Sequence, residues 1–280
     1  MTVSLRAVKQ AASETGLRRI AANLKAWLSL VARPPRFKER RLLPPRRRLV
    51  IGGIAGVALV AFCMIVLDAR AVSYAGSLPL WVVETFNEIT DYGRSGWTLI
   101  PIGCLIMLAA ILCTPAAGRM TNLVLTSMIV RLEFLFLAVA VPGLVVTVVK
   151  GFIGRMRPSE LGPFTYAPWS WQHKYASLPS GHSAAAFATA IAIGALWPRL
   201  RVPLWIFAGV IGLSRVVIHA HFVSDVVAAA FVGSFGAILV RNWFAARRLA
   251  FVPGRDGAVH AMPGPSWRRV KTVARRLLGQ

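Results

Sequence analysis

Six stretches of this chain are too apolar and too long to hide in a water-soluble core, and they decide what it can fold into. They cover residues 49–67, 97–113, 123–149, 182–197, 202–218 and 222–240. A membrane-crossing helix needs about 20 mainly apolar residues. Flanking residues can complete the shorter runs, and the third is long enough to tilt. In a chain of 280 residues, 56% are hydrophobic and mean hydropathy is +0.60, an excess that only lipid can solvate. The expected fold class is all-α, a six-transmembrane helical bundle forming one membrane domain.

The net charge of +23 suggests nucleic acid until it is located. The first 48 residues carry 13 Lys and Arg against two acids and the last 40 carry nine against one, so 19 of the 23 charges sit at the ends. No nucleic-acid partner is expected. Under the positive-inside rule both termini are cytoplasmic, as an even number of spans requires, and the basic turns near Arg119 and near Arg199 and Arg201 fall on the same side. The organisation is then a basic cytoplasmic N-terminal region (1–48), a six-span domain (49–240) and a basic cytoplasmic tail (241–280). Residues 1–31 lack an uninterrupted apolar core with a small-residue cleavage site, so the first span directs insertion. Leu17, Ile20, Leu24, Leu28 and Val31 recur at helical spacing among Arg18, Arg19 and Lys25. That pattern fits either an amphipathic helix on anionic lipids at the cytoplasmic surface or an unstructured basic arm. Cys63, Cys104 and Cys113 lie within apolar runs without metal-type spacing and read as packing residues.

Residues 68–96, 150–181 and 219–221 fall on the outer side. In the first segment Glu84, Glu88 and Asp91 share one helical face and Val82, Phe86 and Ile89 the other, which predicts a helix lying along the interface. Trp97 follows as an interfacial anchor and Arg94 as a solvated charge. Arg131 and Glu133, inside the third run, read as interfacial or paired with each other.

Three clusters carry chemistry, all at the outer ends of spans three to six. Lys150 and Arg157-Pro158 place two long cations seven residues apart on one helical face, with Pro158 turning Arg157 back, a suitable phosphate clamp. Pro179-Ser180-Gly181-His182 precedes an apolar helix. Ser180 can cap it, Gly181 lets an anion approach the free amides, and His182 stands beside the bound group. In Ser214-Arg215, His221 and Asp225, the last two are four apart, so on a helix the carboxylate can hold one imidazole nitrogen and leave the other aimed outward. His219 projects away from Asp225 and reads as a bystander.

Together these clusters resemble the signature of the type 2 phosphatidic acid phosphatase superfamily, which also includes vanadium haloperoxidases and bacterial acid phosphatases. Every motif position is filled, and the resemblance covers roughly residues 134–240. It implies that His221 attacks phosphorus to form a phosphohistidine, Asp225 holds its tautomer, His182 protonates the leaving oxygen, and Lys150, Arg157, Arg215 and the amides near Ser180 and Gly181 bind the phosphate. No metal or other cofactor is expected, since three fixed cations can offset a phosphoryl group. The expected activity is dephosphorylation of a membrane lipid phosphate or diphosphate, with undecaprenyl diphosphate, phosphatidylglycerol phosphate, phosphatidate and lipid A as candidates. Alternatives are a lipid phosphotransferase with the same residues or a non-catalytic lipid transporter. The location expected is a bacterial inner (plasma) membrane, active site extracytoplasmic. Residues 159–177, with Trp169, Trp171, His173 and Lys174, are placed to cover the lipid headgroup. A cysteine at Gln172 in a background without Cys63, Cys104 and Cys113 should therefore react with a membrane-impermeant maleimide from outside intact cells. Reaction only after the inner face is exposed would reverse the topology.

Overall fold

The computed structural model describes residues 5–36, 42–113, 118–160, 164–254 and 258–277. Parts of the expected basic N-terminal region, of the loop 159–177 and of the tail lie outside the described residues. Helices dominate: α1 (Leu5–Ala32), α2 (Arg46–Phe62), α3 (Asp68–Gly76), α4 (Leu80–Asp91), α5 (Gly96–Leu112), α6 (Arg119–Ile153), α7 (Gly181–Leu196), α8 (Arg201–Val217), α9 (Val223–Ala246) and α10 (Trp267–Leu277). A short hairpin of β1 (Phe251–Pro253) and β2 (Val259–Ala261) is antiparallel, with Val252 opposite His260.

Five helical stretches are long and apolar enough to cross a membrane: Arg46–Gly76, Leu80–Leu112, Arg119–Ile153, Pro198–Val217 and Val223–Ala246. The fourth apolar run is α7, of 16 residues, or about 24 Å, shorter than the roughly 30 Å of a bilayer's hydrocarbon. α7 is enclosed by α6, α8 and α9 and buries Ala184, Ala185, Ala186, Ala188, Ala190, Ala192 and Gly194. Between helices in lipid the hydrophobic effect gives no advantage, so small residues that let backbones touch carry the packing. A Cβ on Gly233 of α9 would stand 2.3 Å from the Ala184 carbonyl oxygen, and one on Gly236 2.7 Å from Pro142 of α6.

The first crossing is not one regular helix. A π-helical turn, Cys63–Leu67, joins α2 to α3, and such a turn rotates the residues after it relative to those before. Asp68, the first residue beyond, is fully buried. The expected interfacial helix is α4. Its Glu84 and Glu88 are exposed and Val82 and Phe86 half-buried, while Ile89 packs on a cluster containing Ala186 and Ile211.

Two expectations are narrowed at the opposite end. α1 is a docked helix: Trp27 is buried with Ala109, Ala110, Leu125 and Ile129, and the Asn23 amide donates to the Ala110 and Cys113 carbonyls, both at 2.9 Å. Those orphan carbonyls at the end of α5 needed partners, and a polar residue inside the apolar face supplies them. Arg131 and Glu133 are not paired with each other. Arg131 donates to Ser127 and to the Met262 and Pro263 carbonyls, whereas Glu133 Oε2 is buried without a hydrogen-bond partner among the described residues. α9 continues to Ala246, and Phe251 of the hairpin is fully buried against Phe134, with ring centroids 4.6 Å apart.

Candidate active site

Lys150 stands in the last turn of α6, which ends three residues later at Ile153 and is capped by Gly154. Gly154 has φ +62°, and a Cβ there would overlap the Ala167 carbonyl oxygen at 1.8 Å, so only glycine permits the reversal. The chain then returns in extended form, with Arg155 bridged to Tyr166 and the Met156 amide bonded to the Thr165 carbonyl at 2.9 Å. Lys150 and Arg157 therefore do not share a helical face, as the seven-residue spacing suggested. A glycine-terminated helix and a turn bring Arg157 back, where its Nε donates to the His173 carbonyl at 3.1 Å.

The second cluster forms as expected. Ser180 caps α7, its oxygen accepting from the Ser183 amide at 3.4 Å and the Ser183 hydroxyl at 2.9 Å. Lys150 Nζ lies 3.5 Å from where a side chain on Gly181 would begin, so the first two clusters meet. His182 is half-buried in the first turn of α7. Gly93, in the turn between α4 and α5, packs against it: a Cβ there would come within 3.3 Å of His182 Cβ and 2.5 Å of Ile211.

The third cluster is a corner rather than a helical face. After α8, the Ala220 and His221 amides both donate to the Arg215 carbonyl at 3.1 Å, and α9 begins only at Val223. His221 is thus outside the helix. Asp225, third residue of α9, reaches back so that Oδ2 accepts from the Phe222 amide at 3.0 Å and faces His221 Nδ1 at 3.6 Å. The helix-start geometry, not an i,i+4 pair along a helix, sets them together. His219 Nε2 lies 3.2 Å from the Val72 carbonyl on α3, turned to another partner. Ser214 donates to the Ile211 carbonyl of its own helix at 2.7 Å.

Electrostatics follow from burial. His221 is 1% exposed. Desolvation pushes its pKa down to about 4, assisted by Lys150 and Arg215 and opposed by Asp225. A neutral imidazole with a lone pair is the form a nucleophile needs. The three cations share one neighbourhood: Arg157, then burial, then Lys150 and Arg215 hold His173 below the usual histidine range. Arg215 Nη1 donates to Thr90 Oγ1 at 2.9 Å, whereas its Nε is buried without a hydrogen-bond partner among the described residues.

Sequence reasoning missed the residues behind Asp225. Ser177 donates to Asp225 Oδ2 at 2.5 Å and Arg155 to Oδ1 at 2.7 Å, while Arg155 also reaches Asp68 Oδ2 at 2.7 Å. Two signals were present: a third cation between Lys150 and Arg157, and a lone acid ending the first apolar run. Trp169 and Trp171 of the loop pack on Phe152, with centroids 4.6 and 6.3 Å away, and remain 70% and 66% exposed, as interfacial aromatics would be.

Three cations, a helix N-terminus and two histidines thus gather at one end of the helical bundle, a set of groups able to hold an anionic phosphoryl group. Residues 132–249 match the PAP2 superfamily. A lipid A 1-phosphatase of Rhizobium etli is 32% identical over 204 residues, which is 71% of this chain and 86% of the relative. Another, of Rhizobium johnstonii, is 37% identical over 127 residues, 44% of this chain and 52% of the relative. Among solved structures, Aquifex aeolicus LpxE aligns with TM-score 0.45 and 22% identity, covering 62% of this chain and 94% of that one. A PAP2-type phosphatidylglycerolphosphate phosphatase of Bacillus subtilis aligns with TM-score 0.42 and 19% identity, covering 80% and 94%. The chain belongs to the PAP2 superfamily and is a membrane phosphatase.

The depressed proton affinity of His221 has a measurable consequence. Its folded pKa of about 4 lies below the ordinary 6.5, so the unfolded chain takes up a proton that the fold refuses. This histidine's contribution to stability is full above about pH 6.5 and declines as the pH falls toward 4. Nuclear magnetic resonance of histidine-labelled protein should show His221 neutral at pH 5.5; a midpoint near 6.5 would contradict the burial argument.

Proposed function

We propose that the protein removes the 1-phosphate of lipid A, or of a closely similar glycolipid, at the extracytoplasmic face of a membrane. The observation that carries the substrate is the identity to the Rhizobium etli lipid A 1-phosphatase across 86% of that relative's length. The other candidates, undecaprenyl diphosphate, phosphatidylglycerol phosphate and phosphatidate, present a terminal phosphate too but lack that support. The facing follows from charge. Both terminal helices pack at the end opposite His221, and α10 exposes Arg268, Arg269, Lys271, Arg275 and Arg276. The positive-inside rule assigns that end to the cytoplasm, where these cations meet anionic lipids.

Lys150, Arg157, Arg215 and the amides at the start of α7 hold the phosphate oxygens. His221 Nε2 attacks phosphorus as its bond to the lipid oxygen breaks, and Asp225 keeps the proton on Nδ1. His182 gives a proton to the departing oxygen. Water, deprotonated by His182, then attacks the phosphohistidine, breaking the P–N bond and releasing phosphate. No step calls for a metal, because positioning and fixed charge supply most of phosphoryl-transfer catalysis.

The site lies at helix ends, so a lipid can leave its chains in the bilayer while its phosphate reaches His221. Each buried CH₂ contributes about 0.8 kcal/mol to that anchoring, which a soluble ester lacks. With purified protein, lipid A 1-phosphate should be cleaved far more efficiently than glucose 1-phosphate and more efficiently than phosphatidate, with or without a chelator. His221→Ala and His182→Ala should each reduce turnover by at least about 100-fold, and His219→Ala far less. Comparable efficiency on glucose 1-phosphate would refute the lipid assignment, and an active, folded His221→Ala protein would refute the mechanism.

A further inference from the structure

Arg155 is the largest fully buried side chain among the described residues. Its Nη1 donates to Asp225 Oδ1 and Ser224 Oγ, and its Nη2 to Asp68 Oδ2, all at 2.7 Å. The guanidinium lies 4.1 Å from the Phe222 ring centroid. Asp68 is saturated as well, accepting from the Ser224 amide at 2.9 Å on Oδ1 and from the Ser224 hydroxyl at 2.6 Å on Oδ2. We propose that Arg155 and Asp68 are positioning residues for catalysis: the buried chain Asp68, Arg155, Asp225 fixes the carboxylate behind His221 and preserves its negative charge. This rests on the phosphohistidine reading of the same site.

Two features of the geometry separate this role from plain scaffolding. Arg155 occupies Oδ1 of Asp225, which leaves Oδ2 for the Phe222 amide, the Ser177 hydroxyl and His221. The division sets the plane of the carboxylate and so which imidazole nitrogen it addresses. The second feature is the charge count. A single guanidinium would cancel Asp225, but Asp68 offsets that guanidinium, so the three groups together keep one net negative charge beside the imidazole. The other charged or titratable groups acting on His221 are Lys150 from α6, Arg215 from α8 and His182 from α7, all cationic or neutral. When Nε2 bonds to phosphorus the imidazole becomes cationic, and the chain ending at Asp225 supplies the negative charge that stabilises it. Inside a low-dielectric bundle such a charge acts strongly. Buried ion pairs contribute little to stability relative to apolar packing of the same shape, so fold stability alone is a weak reason for one here.

The backbone devices around the chain serve it. The π-helical turn immediately before Asp68 and the left-handed Gly154 immediately before Arg155 point the two side chains to the same spot, from positions 87 residues apart. The corner preceding α9 adds Phe222 and Ser224 around them.

The test uses full-length protein in detergent with lipid A 1-phosphate as substrate, comparing wild type, Asp68→Asn, Arg155→Lys, Arg155→Met and His221→Ala. Asp68→Asn should lower kcat by at least about 10-fold with KM within about threefold, and Arg155→Met should lower kcat further than Arg155→Lys, since a lost transition-state interaction appears in kcat. Nitrogen chemical shifts of labelled histidine read the His221 tautomer without any turnover: one tautomer, protonated on Nδ1, in wild type and a mixture in Asp68→Asn. Asp68→Asn is isosteric and keeps one accepting oxygen while removing the charge, so it stands in if the Arg155 variants fail to fold. Wild-type kcat with an unchanged tautomer in folded Asp68→Asn would overturn the proposal, as would a raised KM at constant kcat. If wild type cleaves no lipid phosphate, the functional reading fails, and the tautomer measurement still decides the positioning role.

Discussion

The carboxylate of Asp225 is the point at which the separate pieces of the site are joined. Its side chain takes hydrogen bonds from the loop at Ser177, the turn at Arg155 and the corner at Phe222, and it faces His221. Its backbone carbonyl accepts from the Ser180 amide at 3.1 Å, tying the start of α9 to the start of α7. The turn between Lys150 and Arg157, the start of α7 and the corner before α9 therefore converge on one residue. In a membrane interior a buried polar group has no water to fall back on, so each of these bonds has to come from the protein.

Close backbone packing makes that convergence possible. The glycines of α9 let α7 lie flush in the bundle, and the short length of α7 places Ser180 and His182 where the outer loops can fold over them. The reacting end is polar and cross-linked by side chains from α3, α4, α6, α8 and α9. At the other end, α1, the hairpin and α10 close over the helix termini with Trp27, Phe251 and a set of arginines. Substrate chemistry and basic surface thus sit at opposite ends of the same bundle, which suits an enzyme that takes its substrate from lipid.

Much of this was legible in the sequence because it depends on local pattern. Apolar runs, charge at the termini and the polarity of Glu84, Glu88 and Ile89 follow helical periodicity, and the cap at Ser180 is a four-residue signal. Residue type and order singled out His182, His221, Lys150 and Arg157, and the structure brings them to one end of the bundle. What stayed hidden was long-range or conformational. Nothing local ties Asp68 to Arg155, and spacing alone read Lys150 with Arg157, and His221 with Asp225, as pairs on helices when a glycine stop and a helix-start corner achieve the same proximity. Phe251 lies in an apolar stretch of only five residues, 249–253, set between arginines that mask a buried hairpin, and Arg131 finds its partners at Met262 and Pro263, far beyond its neighbour Glu133.

The central claim is that His221 becomes covalently phosphorylated, and trapping that intermediate tests it most directly. Purified protein mixed with lipid A bearing radiolabelled 1-phosphate, quenched in base within the first turnover and digested, should yield label on the peptide containing His221. The label should be stable in base, be lost in acid and be absent from His221→Ala. Turnover without any labelled peptide, or label on another residue that persists in His221→Ala, would contradict the account.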